Sequence, residues 1–156
     1  MWQKRCLVVA PFLAFVITTL LLSCGGSSNN TAPIATSTPI TIIAVRVCAQ
    51  APSTGAACTQ ATSAEVALST SKFQLYAQGE FSSNGVSSFN DISPSASWFV
   101  NNSLLLSNGL GFFTSGPVKG CSCITAASGT VVSPPVLIGI GQSPSLCSPC
   151  PASPPS

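Results

Sequence analysis

Cysteine is the residue type in this chain whose number and spacing could carry chemistry. Eight cysteines occur among 156 residues, and there is no histidine. Cys6 lies in an apolar N-terminal run and Cys24 follows that run, so six remain for the rest of the chain. An even number of cysteines in an exported protein predicts disulfides, here three among fifteen possible sets of pairs. The candidates are Cys48, Cys58, Cys121, Cys123, Cys147 and Cys150.

Geometry narrows the pairing of these six. Cys121 and Cys123 lie two positions apart on one predicted strand, with Cα atoms about 6.6 Å apart and parallel side chains, which is near the limit for a bridge. We therefore expect them to receive partners from the segment 49–70 and from the C-terminal tail. Both irregular segments would then be pinned to the sheet, each bridge contributing about 2–4 kcal/mol.

Two other uses of the sulfurs stay open. Cys147-Ser-Pro-Cys150 has redox spacing, but redox folds place this motif where a strand enters a helix, and here it lies in a proline-rich tail. Cys121 and Cys123 could join Cys147 and Cys150 as four thiolate ligands of a soft metal. Because an oxidising envelope favours disulfides over thiolates, we predict no metal site and no cofactor.

Charged residues make up only 5% of the chain, which excludes several function classes. Three carboxylates and no imidazole leave little material for acid–base catalysis or for a zinc site that uses histidine. We therefore predict that the protein is not an enzyme. The net charge of +2 comes without a cluster of Lys and Arg, so the sequence predicts no binding of nucleic acid.

The first residues have the order of an export signal. Lys4 and Arg5 precede the apolar run Leu7–Leu22, and small residues follow it. The run is shorter than the roughly 20 residues that a membrane span needs, and Pro11 interrupts it. Residues 1–23 are therefore predicted to be a cleaved signal peptide, with an uncleaved membrane anchor as the alternative.

The end of this run, Leu21-Leu22-Ser23-Cys24, resembles the bacterial lipobox. The resemblance implies cleavage before Cys24 and attachment of acyl chains to its thiol, so that the membrane becomes a partner through the N-terminal lipid. Gly25 after that cysteine is similar to the signal for sorting to the outer membrane. The expected location is the cell envelope, lipid-anchored at the outer membrane, facing either the periplasm or the cell surface.

The mature chain is predicted to contain one domain between two irregular ends. Residues 24–39 comprise the lipidated cysteine and a flexible linker. Residues 25–38 of this segment are rich in Gly, Ser, Asn and Thr, and their root-mean-square end-to-end distance is roughly 20 Å. Residues 142–156 form a Pro- and Cys-rich tail. Residues 40–141 predict an all-β sandwich of about seven short strands separated by turn residues.

Alternation defines these strands. In Lys72–Glu80 it places Phe73, Leu75 and Ala77 on one face and residues 74, 76 and 78 on the other. Residues 49–70 are predicted to be a loop insertion, within which 61–69 has at most a turn of helix, and residues 82–88 are predicted to be a turn. The predicted strands are 40–47, 72–80, 96–101, 104–107, 111–114, 119–126 and 130–140.

Four motifs occur in the order shown by a known family. They are Phe73-Gln-Leu-Tyr-Ala-Gln-Gly79, Asn90-Asp-Ile-Ser leading to Ala96-Ser-Trp98, Leu106-Ser-Asn-Gly-Leu-Gly-Phe112, and Gly120-Cys-Ser-Cys-Ile-Thr-Ala126. Together they resemble the bacterial immunoglobulin-like domain, group 2, over about Ile40–Ile140. Two departures are the 49–70 insertion and the cysteines at 121 and 123. The resemblance implies an immunoglobulin-like sandwich with a structural or adhesive role.

Trp98 is predicted to be a core anchor that buries roughly 200 Å², with ligand stacking as the alternative. Ile124 is predicted to point inward, away from the side of its strand that carries Cys121 and Cys123.

Together, the lipobox and the family resemblance lead us to expect a non-enzymatic envelope lipoprotein that displays a single module toward a protein or a glycan. The alternative is a small cysteine-rich envelope protein that handles redox equivalents or a soft metal.

Overall fold

The computed structural model describes residues 38–70 and 72–152. The predicted signal peptide, Cys24 and most of the predicted linker lie outside the described residues, as do the last four residues of the tail. None of the described residues forms a helix that is long and apolar enough to cross a bilayer.

Eleven strands and one 3-10 helix form within the described residues, so the predicted all-β fold is confirmed. The predicted number of strands, about seven, is too low. The strands are β1 Thr41–Cys48, β2 Ser63–Val66, β3 Phe73–Gln74, β4 Tyr76–Ser83, β5 Val86–Asp91, β6 Ser97–Val100, β7 Leu105–Ser107, β8 Phe112–Ser115, β9 Gly120–Ser128, β10 Val131–Val132 and β11 Val136–Ile140, and the 3-10 helix is Pro144–Leu146.

The strands form three sheets that enclose one core. The first sheet has the order β1-β4-β5 and the second has the order β3-β8-β7. The third has the order β10-β9-β11-β2, with β6 also paired to β9. The strand β2 runs parallel to β11, and the other strand pairs of the described residues are antiparallel.

The first and second sheets are joined because only Leu75 separates β3 from β4. Its N–H leaves the ladder and donates to the carbonyl oxygen of Gly111 at 2.9 Å. Gly111 has φ of +80°, and a Cβ atom there would collide with the Leu75 carbonyl oxygen. The predicted strand 72–80 is therefore divided at this crossing, and glycine is required opposite it.

The core lies between the joined first and second sheets and the third sheet, as a sandwich requires. Alternation along β9 sends Ser122, Ile124 and Ala126 inward, and all three are fully buried, which confirms the predicted orientation of Ile124. The buried apolar residues of the core are Val45, Val47, Val66, Leu75, Ala77, Ile92, Leu105, Phe113, Ile124, Ala126, Val136, Ile138 and Ile140.

Trp98 packs at the border of this core. Its ring meets that of Phe113 edge-on, with centroids 5.4 Å apart, and its Nε1–H donates to the carbonyl oxygen of Ser93 at 3.3 Å. The side chain is half-buried, whereas Phe113 is fully buried. The centre of the core is therefore occupied by Phe113, and Trp98 closes one side of it.

Two strands lie where the sequence predicts none. The strand β2 occupies the end of the predicted insertion, where Ser63-Ala-Glu-Val66 has helix-compatible residues but gains a place in the third sheet by pairing with β11. The strand β5 begins inside the predicted turn 82–88, because only Asn84 and Gly85 form the turn, with φ of 52° and 76°. Two consecutive positive φ values are typical of a type I′ hairpin.

The predicted strand 130–140 is divided as well. Pro134 and Pro135 lie between β10 and β11, and proline cannot donate to a ladder. Ser133, just before them, still donates its N–H to the carbonyl oxygen of Ala126 at 2.8 Å. The chain thus stays beside β9 while it changes from β10 to β11.

Candidate functional site

All six candidate cysteines form disulfides. Cys48 bonds to Cys58, Cys121 bonds to Cys147, and Cys123 bonds to Cys150. The Cα–Cα distances are 6.1, 5.8 and 5.8 Å in that order, within the ordinary range for disulfides.

Cys121 and Cys123 point away from the core because their neighbours on β9 point into it. Both receive partners from the tail, as expected for one of them. The expectation that the other bonds to the 49–70 segment is wrong, because Cys58 of that segment bonds to Cys48 at the end of β1. The segment thus folds back on the strand from which it emerges, and the tail supplies both bridges to β9.

Cys147 and Cys150 are bonded to different residues of β9 and not to each other. A dithiol redox motif works by opening and closing a bond between its own two cysteines. The four sulfurs proposed as soft-metal ligands are likewise held in two S–S bonds. Among residues 38–70 and 72–152, no group of three or more His, Cys, Asp or Glu side chains is arranged to hold a metal ion.

The tail contacts the third sheet with backbone and sulfur and buries little apolar surface. None of the residues of the 3-10 helix is buried, and Leu146 is 75% exposed. A Cβ atom at Gly139 of β11 would collide with the Gln142 carbonyl oxygen and lie 2.9 Å from the Pro144 nitrogen. The Gln142 side chain donates to Cys121 Sγ at 3.0 Å. The tail is therefore fixed to this face chiefly by its two disulfides.

The 49–59 loop covers the outer face of β4 in a different way. The alternation predicts Gln78 on the face opposite Leu75 and Ala77, and on that outer face its side chain is fully buried beneath this loop. Its Oε1 accepts from the Cys58 N–H at 2.7 Å, and its Nε2 donates to the Ala56 carbonyl oxygen at 2.8 Å. Both the oxygen and the nitrogen of the buried amide thus have a hydrogen-bond partner. The amide and the Cys48–Cys58 bridge both attach the loop to the sheet.

A cleft of about 440 Å³ opens beside the Cys48–Cys58 bridge. Its walls come from residues 48–53, 58 and 59, none of which is charged. The hydroxyls in these walls, Ser53 and Thr59, have no ionisable side chain beside them in the lining that could serve as a general base.

One ion pair lies on the outer face of the first sheet. Arg46 Nη2 is 2.7 Å from Glu80 Oε2, and Ser87 donates to Glu80 Oε1 at 3.0 Å. The Arg46 guanidinium also lies over the Phe89 ring, 5.5 Å from its centroid. The hydrogen bond from Arg46, and then that from Ser87, lowers the pKa of Glu80 below its usual value. This cluster joins all three strands of the sheet.

Only some of the residues that make these contacts could be identified from the sequence. The cysteines and Trp98 could be singled out by residue type. Gln78 and the Arg46–Glu80 pair could not, because a polar residue on an alternating strand is ordinarily solvated. No known protein family matches the chain, and no curated protein is significantly similar to it.

Proposed function

We propose that this protein is a lipid-anchored lipoprotein of the bacterial cell envelope that displays a single immunoglobulin-like module. Its role is structural, adhesive or protein-binding, and it is not enzymatic. The observation that carries the proposal is the state of the cysteines, since all six in the described residues form disulfides. Disulfides persist in oxidising compartments outside the cytosol, which is where the lipobox-like Leu21–Cys24 would send the chain.

The strand order supports the immunoglobulin-like assignment. In constant-type immunoglobulin sandwiches one sheet contains the order B-E-D and the other contains C-F-G. The orders β3-β8-β7 and β6-β9-β11 correspond to these, and Trp98 lies on β6, in the place of strand C. The disulfides differ, because they fasten a loop and a tail to outer faces and do not join strands B and F.

The display role is supported by the character of the surface. Without its signal peptide the chain would carry Arg46, Lys72 and Lys119 against Glu65, Glu80 and Asp91, and so no net side-chain charge. Such a surface presents hydroxyls and amides to a protein or a glycan and gives little electrostatic steering. The redox or metal-handling alternative has no observation in its favour, because each sulfur that it needs is in a bridge to a different segment.

Lipid anchoring is tested by labelling cells with palmitate and separating membrane from soluble fractions. The wild type is expected in the membrane fraction with label, whereas Cys24→Ser is expected without label. Cys6→Ser is the matched control, because Cys6 lies within the predicted signal peptide. Retention of label in Cys24→Ser, or loss of label in both variants, would contradict the proposal.

A further inference from the structure

The strand β5 forms a free edge of the first sheet. Its only strand partner in the described residues is β4. The Ile92 N–H donates to the Ala77 carbonyl oxygen at 2.8 Å, so residue 92 has its backbone groups turned toward β4. Because hydrogen-bonded positions alternate along an antiparallel pair, Ser87, Phe89 and Asp91 direct their backbone N–H and C=O groups away from β4.

The opposite edge of the same sheet, β1, is protected. The register shifts between Ile42 and Ala44, which marks a bulge. The N–H of Val47 donates to Gln60 Oε1 at 2.9 Å, and its carbonyl oxygen accepts from the Ala61 N–H at 2.7 Å. Bulges, charges and covering loops are the usual means by which edges avoid pairing with another chain.

The strand β5 has none of these protections along Val86–Phe89. Its register with β4 is regular from Ser83↔Val86 to Gln78↔Asp91, and the strand contains no proline, lysine or arginine. Its single charge is Asp91, the last residue. Most of its side chains are exposed, with Val86 at 70%.

We propose that β5 pairs antiparallel with β5 of a second copy of this chain, in register about Phe89. The two three-stranded sheets would then join into one, and each of three pairs, one Phe89–Phe89 and two Ser87–Asp91, would exchange two backbone hydrogen bonds. A second copy fits because the strand is complementary to itself in this register. Each Asp91 lies opposite an uncharged Ser87, the two Phe89 rings form an aromatic cross-strand pair, and the two Asp91 carboxylates stay about 14 Å apart along the strands.

The test is sedimentation equilibrium of the full chain in density-matched detergent, with two variants that add the same charge to the same face of β5. Phe89→Lys places two ammonium groups opposite each other, and we expect it to raise the dimer dissociation constant about tenfold or more. Ser87→Lys places each ammonium opposite an Asp91 carboxylate, and we expect the dissociation constant to stay the same or fall.

Glu80 is within reach of both positions inside one copy, since it is the cross-strand partner of residue 89 and bonds to Ser87. Circular dichroism and the count of intact disulfides verify that each variant folds. Purified wild type that stays monomeric at every concentration would overturn the proposal. The free edge of β5 would then be available only to a different protein. Equal weakening by both lysines, or a dimer that Phe89→Lys leaves unchanged, would overturn it as well.

Discussion

Two outer faces of the sandwich are covered by irregular chain, and they are held by different forces. The tail crosses β9 and β11, buries no residue of its 3-10 helix and is bonded to β9 by two disulfides. The 49–59 loop crosses β4, is closed by one disulfide and forms two hydrogen bonds with the buried Gln78, whose Oε1 accepts from Cys58 N–H and whose Nε2 donates to the Ala56 carbonyl oxygen.

The comparison of the tail with the loop shows two ways in which a chain with few charges and short strands keeps irregular segments in place. Ordering a segment costs about 1–2 kcal/mol per residue, which must be offset by burial, hydrogen bonds or cross-links. The loop uses a buried amide in addition to its bridge. The tail has little burial, so its bridges provide most of its attachment.

The largest expected effect comes from removing both tail bridges by replacing Cys121, Cys123, Cys147 and Cys150 with serine. The first bridge closes 26 residues, and the second adds a much smaller loop, so their joint contribution is about 5 kcal/mol. Urea unfolding of oxidised wild type and variant measures the loss.

Because either bridge alone keeps the tail attached, removing only the Cys123–Cys150 pair is expected to cost about 2 kcal/mol. The same holds for removing only Cys121–Cys147. The fourfold variant should therefore lose more stability than the two pair variants added together. Simple additivity would mean that the two bridges act independently, contrary to this account.

The next effect is that of replacing Cys48 and Cys58 with serine. The closed segment spans 10 residues, so the expected loss is about 3 kcal/mol. The amide of residue 58 should keep much of its protection from hydrogen exchange, because Gln78 Oε1 still accepts from it. Complete loss of that protection would show that the bridge alone holds the loop.

The replacement Gln78→Leu isolates the polar part of the loop's attachment. It leaves the Cys58 N–H and the Ala56 carbonyl without their partners, and the expected cost is about 2 kcal/mol. Gln74→Leu is the matched control on β3, the strand before β4 in the chain. Within the described residues the only hydrogen bond of the Gln74 side chain is the one that its Oε1 accepts from the Tyr76 hydroxyl, at 3.1 Å, so the cost should stay within about 0.5 kcal/mol. Equal losses would contradict a special role for Gln78.

The smallest effect concerns the first sheet's ion pair between Arg46 and Glu80. The pKa of Glu80 is lowered in the folded state by Arg46 and then by Ser87, so its contribution to stability is present above the unfolded-state pKa. That contribution disappears as pH falls through the lower folded-state pKa. Unfolding free energies from neutral to acidic pH should decrease more in wild type than in Glu80→Gln; a steeper decrease in the variant would contradict the assignment.

The sequence predicts the general fold because alternation and turn residues are local signals. Ile124 and Ala126 could be assigned to the core from the pattern of β9 alone. The strand β5 could not be found this way, because Ser-Ser-Phe-Asn lies at an exposed edge and has no apolar alternation to mark it.

The disulfide pairing is a tertiary property, and the sequence predicts only part of it. Cys121 and Cys123 lie two residues apart on one strand, so they were not expected to bond to each other. Both of their partners lie in the tail. That Cys58 returns to Cys48 depends on the path of the 49–59 loop over β4, where Gln78 is buried. No local pattern encodes that path, since it is set by contacts between segments about 20 residues apart.

We propose that this chain is an exported, lipid-anchored sandwich whose three disulfides are structural. The most direct test is the intact mass of the protein from the native membrane fraction, measured after alkylation with and without prior reduction. We expect a chain that begins at Cys24 with acyl chains attached, takes up no alkylating reagent before reduction and takes up six equivalents after it. A chain that still begins at Met1, or thiols that react without reduction, would contradict it.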